Sequence, residues 1–553
     1  MTGSFSILLA VVFGLPFIYY LWDVFTQRRI RAKFKANWGK PEALRKLDED
    51  ELGDVANYYF SQRENSASST VVDDTTWSDL DMDSVFSSID ASTSILGSEV
   101  LYSMLREQGT DMEGLQKRQA LANTFQSNQE VRLKTQTALF GIGRSAYHGA
   151  WRYLFSSSFQ YPKLPWIYPV FAVMPSLFLL LGILNVYFLF VAAGAFLVNL
   201  VVHFRSQSSW QKEVTAIRHI GAVLKAAQKL SRVDAPELSE WQEKLKKETA
   251  RLRSIRFWLP LFGIEAIGDI AVVMEYIKIL FMLDMVSLVA IVRIINRHND
   301  AVKAIYSAVG EMDACLSIAQ LLERNSHLCI PAFTENATVT VQQLYHPLVE
   351  DAVANDVDWH QNMLISGSNA SGKSTFIKAV AVNIILAQSL YLCFASAFEL
   401  CRGQVMSAMA VRDSISTGES YFIVEIKSLK RILDQMDKGM VYCFIDEILR
   451  GTNTIERIAA SASVLESLVG KNTLCMAATH DIELTRILAE QYDNRHFSEI
   501  VDEDGVRFDF LLKPGPTQTR NAIRLLSQLG YPENVITKAN IRAAHFEDAG
   551  VWR

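Results

Sequence analysis

Nine consecutive residues of this chain have the types and spacing to cradle a polyphosphate: Gly367, Ser368, Asn369, Ala370, Ser371, Gly372, Lys373, Ser374 and Thr375. They satisfy the pattern G-x-x-x-x-G-K-[ST] in full. An apolar segment, Met363-Leu-Ile-Ser366, leads in, and a helix-like run, Phe376 to Leu386, follows. That strand–loop–helix context is what the pattern needs. Glycines let successive backbone N–H groups turn toward phosphate oxygens, and the helix N-terminus adds partial positive charge. Lys373 has the reach for the β- and γ-phosphates, and Ser374 can offer its hydroxyl to Mg²⁺. The expected ligands are therefore ATP and Mg²⁺.

About 70 residues further on, Val441-Tyr-Cys-Phe-Ile-Asp-Glu447 is an apolar run ending in two acids. It reads as a buried strand delivering carboxylates to its C-terminal end, where open α/β sheets bind ligands. Asp446 is expected to hold Mg²⁺ with Ser374. Glu447 is expected to polarise an attacking water as general base. After one more helix, Glu456 to Leu468, the short strand Met476-Ala-Ala-Thr-His480 ends in a histidine placed to sense the γ-phosphate. Lys373, Glu447 and His480 are thus the catalytic candidates.

These elements need a scaffold, and composition says the scaffold is unusual. Half of the 553 residues are hydrophobic and the net charge is −6, so there is no global basic footprint of a nucleic-acid binder. None of the six cysteines forms a C-x-x-C pair, and they read as reduced, buried small hydrophobes. Residues 1–22 lack charge, and Arg28, Arg29, Arg31, Lys33 and Lys35 follow. The order predicts a signal-anchor helix with its basic flank in the cytoplasm. Leu164 to Phe204 is a run of 41 residues without Asp, Glu, Lys or Arg. One span takes ~20 residues, so this run predicts a transmembrane hairpin turning near Gly182 to Asn185. Lys163 and Arg205 bracket it and place both ends in the cytoplasm. Phe257 to Ile295 is interrupted by Glu265, Asp269, Glu275, Lys278 and Asp284 and reads as packed helices. Ala379 to Phe398 reads as a core helix followed by a buried parallel strand.

Four blocks in order make the segment from about 345 to 520 resemble the ATPase domain of the MutS family, a branch of the ABC-type ATPases. They are the phosphate loop, Gly418-Glu-Ser-Tyr-Phe422 with Glu425, Asp446-Glu-Ile-Leu-Arg-Gly-Thr-Asn-Thr454, and Ala478-Thr-His-Asp-Ile-Glu-Leu-Thr485. His346-Pro347 and Asn355 resemble the start of that domain. Trp77 to Phe86, Gly97 to Leu105, Leu283 to Leu288 and Glu311 to Ala319 resemble, more weakly, the helical core of the family. The resemblance implies that Asn369 and Lys373 contact phosphates. It implies that Ser420 reaches the ATP of a partner subunit, and that Arg450 to Thr454 lie at a dimer interface. A homodimer is therefore expected, with DNA as a partner by family resemblance.

Three departures bear on function. Mismatch-reading members insert the aromatic of a Phe-x-Glu motif beside the mispair, but here Phe333-Thr-Glu335 lies just before the ATPase domain, out of that context. The hairpin occupies the place in chain order that the DNA clamp takes in relatives. Ala352-Val-Ala354 stands where the family often has an aromatic on adenine, leaving Phe510 to supply a ring from the other side. The basic segment Arg28 to Lys40, beside a predicted span, reads as a lipid-headgroup contact, and Trp210 to Arg256 as solvated faces of lever-like helices.

The expected architecture is multidomain: a mainly α-helical core with transmembrane helices and a C-terminal α/β P-loop ATPase domain of ABC type. The expected boundaries are 1–25 anchor, 26–75 basic flank and linker, 76–160 first core part, 164–204 hairpin, 205–335 second core part and 340–553 ATPase. The expected function is a membrane-anchored, multi-pass ATPase (about three spans) with its ATPase domain in the cytoplasm. It hydrolyses ATP at composite dimer sites and is a DNA-binding, mismatch-repair-type protein by resemblance. The alternative is a membrane-remodelling or signalling ATPase that works on the lipid bilayer without DNA. No small-molecule transport substrate is indicated.

Overall fold

The computed structural model describes residues 21–63, 70–262, 269–368, 371–409, 421–502, 505–517 and 530–549, with positions 523 and 526. The expected N-terminal anchor therefore lies almost wholly outside the described residues, as do Asn369, Ala370 and Ser420. The chain divides into two compact units.

The first unit takes in Ile89–Met104 and Met112–Ser326, with the described part of the segment before Ser68. It is helical: α1 (Glu49–Arg63), α2 (Ile95–Arg106), α3 (Met112–Ser127), α4 (Gln129–Phe140), α5 (Ile167–Leu181), α6 (Tyr187–Ser209), α7 (Gln211–Leu230), α8 (Ser239–Arg251), α9 (Ile255–Phe262), α10 (Asp269–Leu280), α11 (Leu283–Arg297) and α12 (Asn299–Arg324). Its axis is α12, which is buried on nearly every face from Ala301 to Leu321 and packs against α3, α7 and α8. A helix apolar all round belongs inside a protein. Gly310 of α12 lets α2 cross closely, since a Cβ there would sit 2.3 Å from Val100 Cγ2.

One buried carboxyl of this core is closely paired, as burial demands. Asp313 of α12 accepts hydrogen bonds from Thr93 N (2.8 Å), Ser94 N (2.8 Å) and Ser94 Oγ (2.5 Å) at the start of α2. Burial nonetheless pushes its carboxyl up to about 6, against the pull of the Ser94 and Thr93 donors. A carboxyl with a raised folded-state pKa holds its proton in the folded state at a pH where the unfolded chain has lost it. Its contribution to stability therefore falls as pH rises from about 4 to 6. Asp313→Asn leaves an N–H facing N–H donors. It should cost about 1–3 kcal/mol at pH 7 and remove that slope, as urea midpoints across pH 4 to 7 would show.

The run expected to be a transmembrane hairpin forms two apolar helices, α5 and α6, joined through Gly182–Val186. Among the described residues only Tyr187–Ser206 is long and apolar enough to cross a membrane; α5 has 15 residues. Leu177, Leu180, Ile183, Leu184, Phe190 and Val201 are exposed. The hairpin is not wholly apolar inside the unit. Asn199 donates to the carbonyls of Phe171 (2.9 Å), Leu280 (3.1 Å) and Ile279 (3.3 Å), and buried His203 pairs with Glu275 at 3.0 Å. The interrupted stretch from Phe257 is helical in its described residues, residue 265 lying outside them, and its charges Glu275 and Lys278 engage each other or His203.

The second unit joins Ser69–Ser88 and Leu105–Asp111 to everything from His327 onward. A six-stranded sheet runs β12 (Lys513–Pro514), β9 (Asp493–His496), β4 (Met363–Ser366), β8 (Thr473–Thr479), β7 (Val441–Asp446), β6 (Gln404–Ala408). All neighbours in it are parallel except β12. β4 and β8 are buried throughout, which is why they read as unbroken apolar runs. The second sheet has the order β1 (Ala332–Thr334), β5 (Ala397–Cys401), β2 (Val339–Leu344), β3 (Asn355–Trp359). β5, the strand expected to be a buried parallel one, instead pairs antiparallel with β2 and parallel only with β1. Its burial alternates, as suits a half-exposed mixed sheet.

The expected boundary at residue 76 also moves. Helix Asp74–Asp79 belongs to this second unit, where Asp79 Oδ2 accepts from Ser407 Oγ (2.7 Å) and Met409 N (3.0 Å) beside the edge strand β6. The reason is edge chemistry: the last strand of a sheet presents unpaired polar groups, and this segment satisfies them. Four of the six free cysteines are buried; Cys329 and Cys401 are half-buried.

Candidate functional site

Parallel register puts the chemistry on one edge. Ser366, the last residue of β4, pairs with Thr479 of β8, and Asp446, the last of β7, pairs with Ala478. The phosphate loop, the Asp446-Glu447 pair and His480 thus leave three adjacent strands at the same end. The loop passes directly into α13 (Lys373–Leu390). Gly372 has φ +98° and Gly367 φ +145°. A Cβ on Gly367 would meet Phe497 O at 2.7 Å, and one on Gly372 the Phe510 ring at 3.0 Å. Glycine is required at both.

Lys373 is buried, and its Nζ donates to the carbonyls of Gly367 (2.7 Å) and Ser368 (2.6 Å). Its ammonium occupies the space the loop encloses. Burial pulls its pKa down to about 8, against the raising influence of Asp446 and Glu499. Ser374 and Thr375 are exposed at the first turn of α13, while Ser371 is buried. Ser368 Oγ donates to Glu499 Oε2 at 2.6 Å. Glu499 is a site neighbour that sequence reasoning missed, since nothing in its local pattern marks it.

Asp446 carries the clearest sign of a cation site. Its Oδ1 is buried with no hydrogen-bond partner among the described residues, and a carboxylate oxygen in that state is costly. A cation held between Asp446 and the Ser374 hydroxyl fits the donor set.

Glu447 follows with φ +54°, and Leu449 has φ +57°. Left-handed backbone at two such residues costs energy and persists where surroundings enforce it. Here the enforcement comes from Glu425 of α14 (Tyr421–Leu433), whose Oε1 accepts from Leu449 N and from Arg450 N. Both Glu447 oxygens are engaged: Oε1 with His480 Nε2 at 2.5 Å, and Oε2 with the Arg450 guanidinium. Burial first, then the Lys373 ammonium, pulls the His480 imidazole below its ordinary range, so it is neutral at pH 7. Glu447, Arg450, His480 and Asp481 line a cavity of about 200 Å³.

On the other side of the loop is a cavity of about 320 Å³, with Val349, Val353, Thr375, Phe376, Phe497 and Phe510 in its wall. Asn355 positions the ring that matters: its Nδ2 donates to Phe510 O at 2.9 Å and its Oδ1 accepts from Leu512 N at 2.7 Å. The Ala352-Val353 segment lines the same space without contributing a ring. The structure thus brings together Gly367, Ser368, Ser371, Gly372, Lys373, Ser374, Thr375, Asp446, Glu447 and His480.

Comparison with known proteins agrees with this geometry. Residues 363–547 match MutS domain V. Over these residues the chain is similar to the MutS family. It is 29% identical over 262 residues to the DNA mismatch repair protein MutS of Methanosarcina mazei, covering 44% of this chain and 29% of that protein. It is 30% identical over 261 residues to that of Listeria innocua, covering 44% and 30%. For Thermus thermophilus MutS the figures are 26% over 249 residues, 44% and 30%. The matches span about three-tenths of the length of these relatives.

Proposed function

We propose that this protein is a membrane-anchored ATPase that hydrolyses ATP to ADP and phosphate at sites completed by a second copy of itself. The observation that carries the reading is the convergence of Lys373, Asp446, Glu447 and His480 on one sheet edge beside the phosphate loop. Lys373 leaves the loop carbonyls for phosphate oxygens when ATP enters, and the loop amides take the remaining charge. Ser374 and Asp446 would hold Mg²⁺, which would supply positive charge beside the phosphates. Phe510 stacks on the base in the neighbouring cavity, and His480 donates near the γ-phosphate. Glu447 accepts a proton from the attacking water. It can do so only after Arg450 releases its carboxylate, so the described arrangement is a resting one. Ser420, in the segment the family uses across the dimer, supplies the contact to the partner's ATP, and Arg450 to Thr454 lie at that interface. Phe510→Ala should weaken ATP binding by about 1–3 kcal/mol, roughly five- to hundredfold in Kd. Turnover at saturating ATP should stay within about twofold, because a base contact binds ground and transition states alike.

For what the cycle moves, family resemblance favours a DNA transaction of mismatch-repair type at a membrane. The exposed apolar hairpin favours a second reading, work on the bilayer itself with about three spans anchoring the chain. The test is the ATPase rate of the protein reconstituted in lipid nanodiscs, with mismatched duplex, with plain duplex and with neither. Stimulation by DNA that fades with salt supports the first. A rate that ignores DNA but follows lipid composition supports the second. No ATP hydrolysis under any condition overturns the whole reading.

A further inference from the structure

The helical unit carries a set of cations that the ATPase reading leaves unused. Two concavities lie side by side on α7 and α8. One, of about 440 Å³, has Lys225, Lys229 and Arg232 in its wall. The other, of about 250 Å³, has Arg232, Lys246, Arg253 and Arg256. Gln228 and Arg232 belong to both, so the two form one continuous trough. Among the described residues, no Asp or Glu lines either part.

All six cations are exposed, and none is ion-paired or hydrogen-bonded through its side chain among the described residues. Of the three acids on α8, two are committed elsewhere and the third, Glu243, is not among the residues that line the trough. Glu240 pairs with Lys117 at 2.8 Å, and Glu248 with Arg251 at 2.7 Å. The trough therefore concentrates uncompensated positive charge on a chain whose net charge is −6. Like charges held this close repel, and an anionic ligand removes that cost.

The shape narrows the ligand class. The floor is small residues, among them Ala222 and Ala226, and the lining contains neither an aromatic ring nor a large aliphatic side chain. Bases could not stack there, and an acyl chain could not be buried. Arginine forks over a small-residue floor suit phosphoryl groups, which they grip in pairs of hydrogen bonds. Of the trough's cations, Lys225, Lys229 and Arg232 lie on α7 or just past its end, within about 10 Å along its axis. That is short for tracking a duplex backbone and long enough for several phosphates on one compact scaffold.

We propose that this trough binds a compact, multiply phosphorylated anion, either free in solution or as the headgroup of a phosphorylated lipid. The site is separate from the phosphate loop, so its failure would leave the ATPase reading untouched.

The experiment is a calorimetric titration of the full chain in detergent with inositol hexakisphosphate, after the phosphate loop has been filled with excess ADP and Mg²⁺. Saturable binding that weakens at high salt is expected. Arg232→Glu, and Lys229→Glu with Arg253→Glu, should each lower the affinity about tenfold or more with the thermal melt unchanged. Lys538→Glu, the same charge change on the C-terminal helix, should leave it as it was. Repeating the titration in nanodiscs separates the sources. If phosphatidylinositol bisphosphate in the disc suppresses binding of the soluble probe, the headgroup is the natural occupant; if it does not, the occupant is a free anion. No saturable binding, or equal affinity in the Arg232→Glu variant, overturns the proposal. So does a short DNA duplex that displaces the probe below the probe's own dissociation constant, which would make the trough a nucleic-acid contact.

Discussion

Glu447→Gln should abolish turnover while leaving ATP bound. The substitution keeps the shape of a side chain that touches both His480 and Arg450 but removes its ability to take a proton from water. Loss of a general base costs about 10²–10⁴-fold in rate. Binding should be spared, because Lys373 and the loop amides, not Glu447, contact the phosphates in the proposed complex. The amide also ends the charge attraction to Arg450. If the resting arrangement is held by that attraction, the variant should accumulate as an ATP-bound dimer. Single-turnover hydrolysis and light scattering with ATP would report both effects. Hydrolysis at the rate of the unaltered chain would remove Glu447 from the role of base.

Lys373→Ala acts one step earlier. Its ammonium is buried and satisfied by two loop carbonyls, so the loop is organised around it before any phosphate arrives. Removing a charge-assisted contact costs about 1.5–3 kcal/mol, on the order of ten- to hundredfold in Kd. Turnover should fall to background, because the same charge stabilises the transferring phosphoryl group. In the unaltered chain, Lys373 near pKa 8 without nucleotide should gain a proton when phosphate arrives. Around pH 8 to 9, ATP binding should therefore take up a fractional proton. Calorimetry in two buffers of different ionisation enthalpy measures it, and Lys373→Ala should lose it. Proton uptake that survives the substitution would assign the low pKa elsewhere.

How much of this was legible in the residues varies with the kind of constraint. The phosphate loop, the Asp446-Glu447 strand end and the His480 strand end could be read because each is local: a run of neighbours whose backbone geometry dictates residue type. Gly367 and Gly372 are the clearest cases, since their dihedral angles and close neighbours exclude a side chain. The expected buried parallel strand at the end of the run to Phe398 is instead the start of mixed strand β5, because apolar content does not reveal which sheet a strand joins. The move of residues 76–88 into the second unit was unreadable for a similar reason. A segment that satisfies a sheet edge more than 300 residues away, as Asp79 does for Ser407, leaves no periodic mark on its own sequence.

By itself, then, the sequence determined the glycine-bearing loop between β4 and α13, the parallel α/β character of its domain and the apolar stretch that forms α5 and α6, because these depend on composition and spacing along the chain. Only the tertiary structure decided that Glu425 holds the backbone on which Glu447 and Arg450 sit, that Asn355 sets the Phe510 ring over Gly372, and that Asn199 and His203 turn inward from an apolar hairpin. It also decided that cations on and beside α7 and α8 face one trough while Glu240 and Glu248 are spent on other partners. These are matters of which side chains meet across space, and hydrogen bonding and charge pairing over such distances depend on the fold of the whole unit.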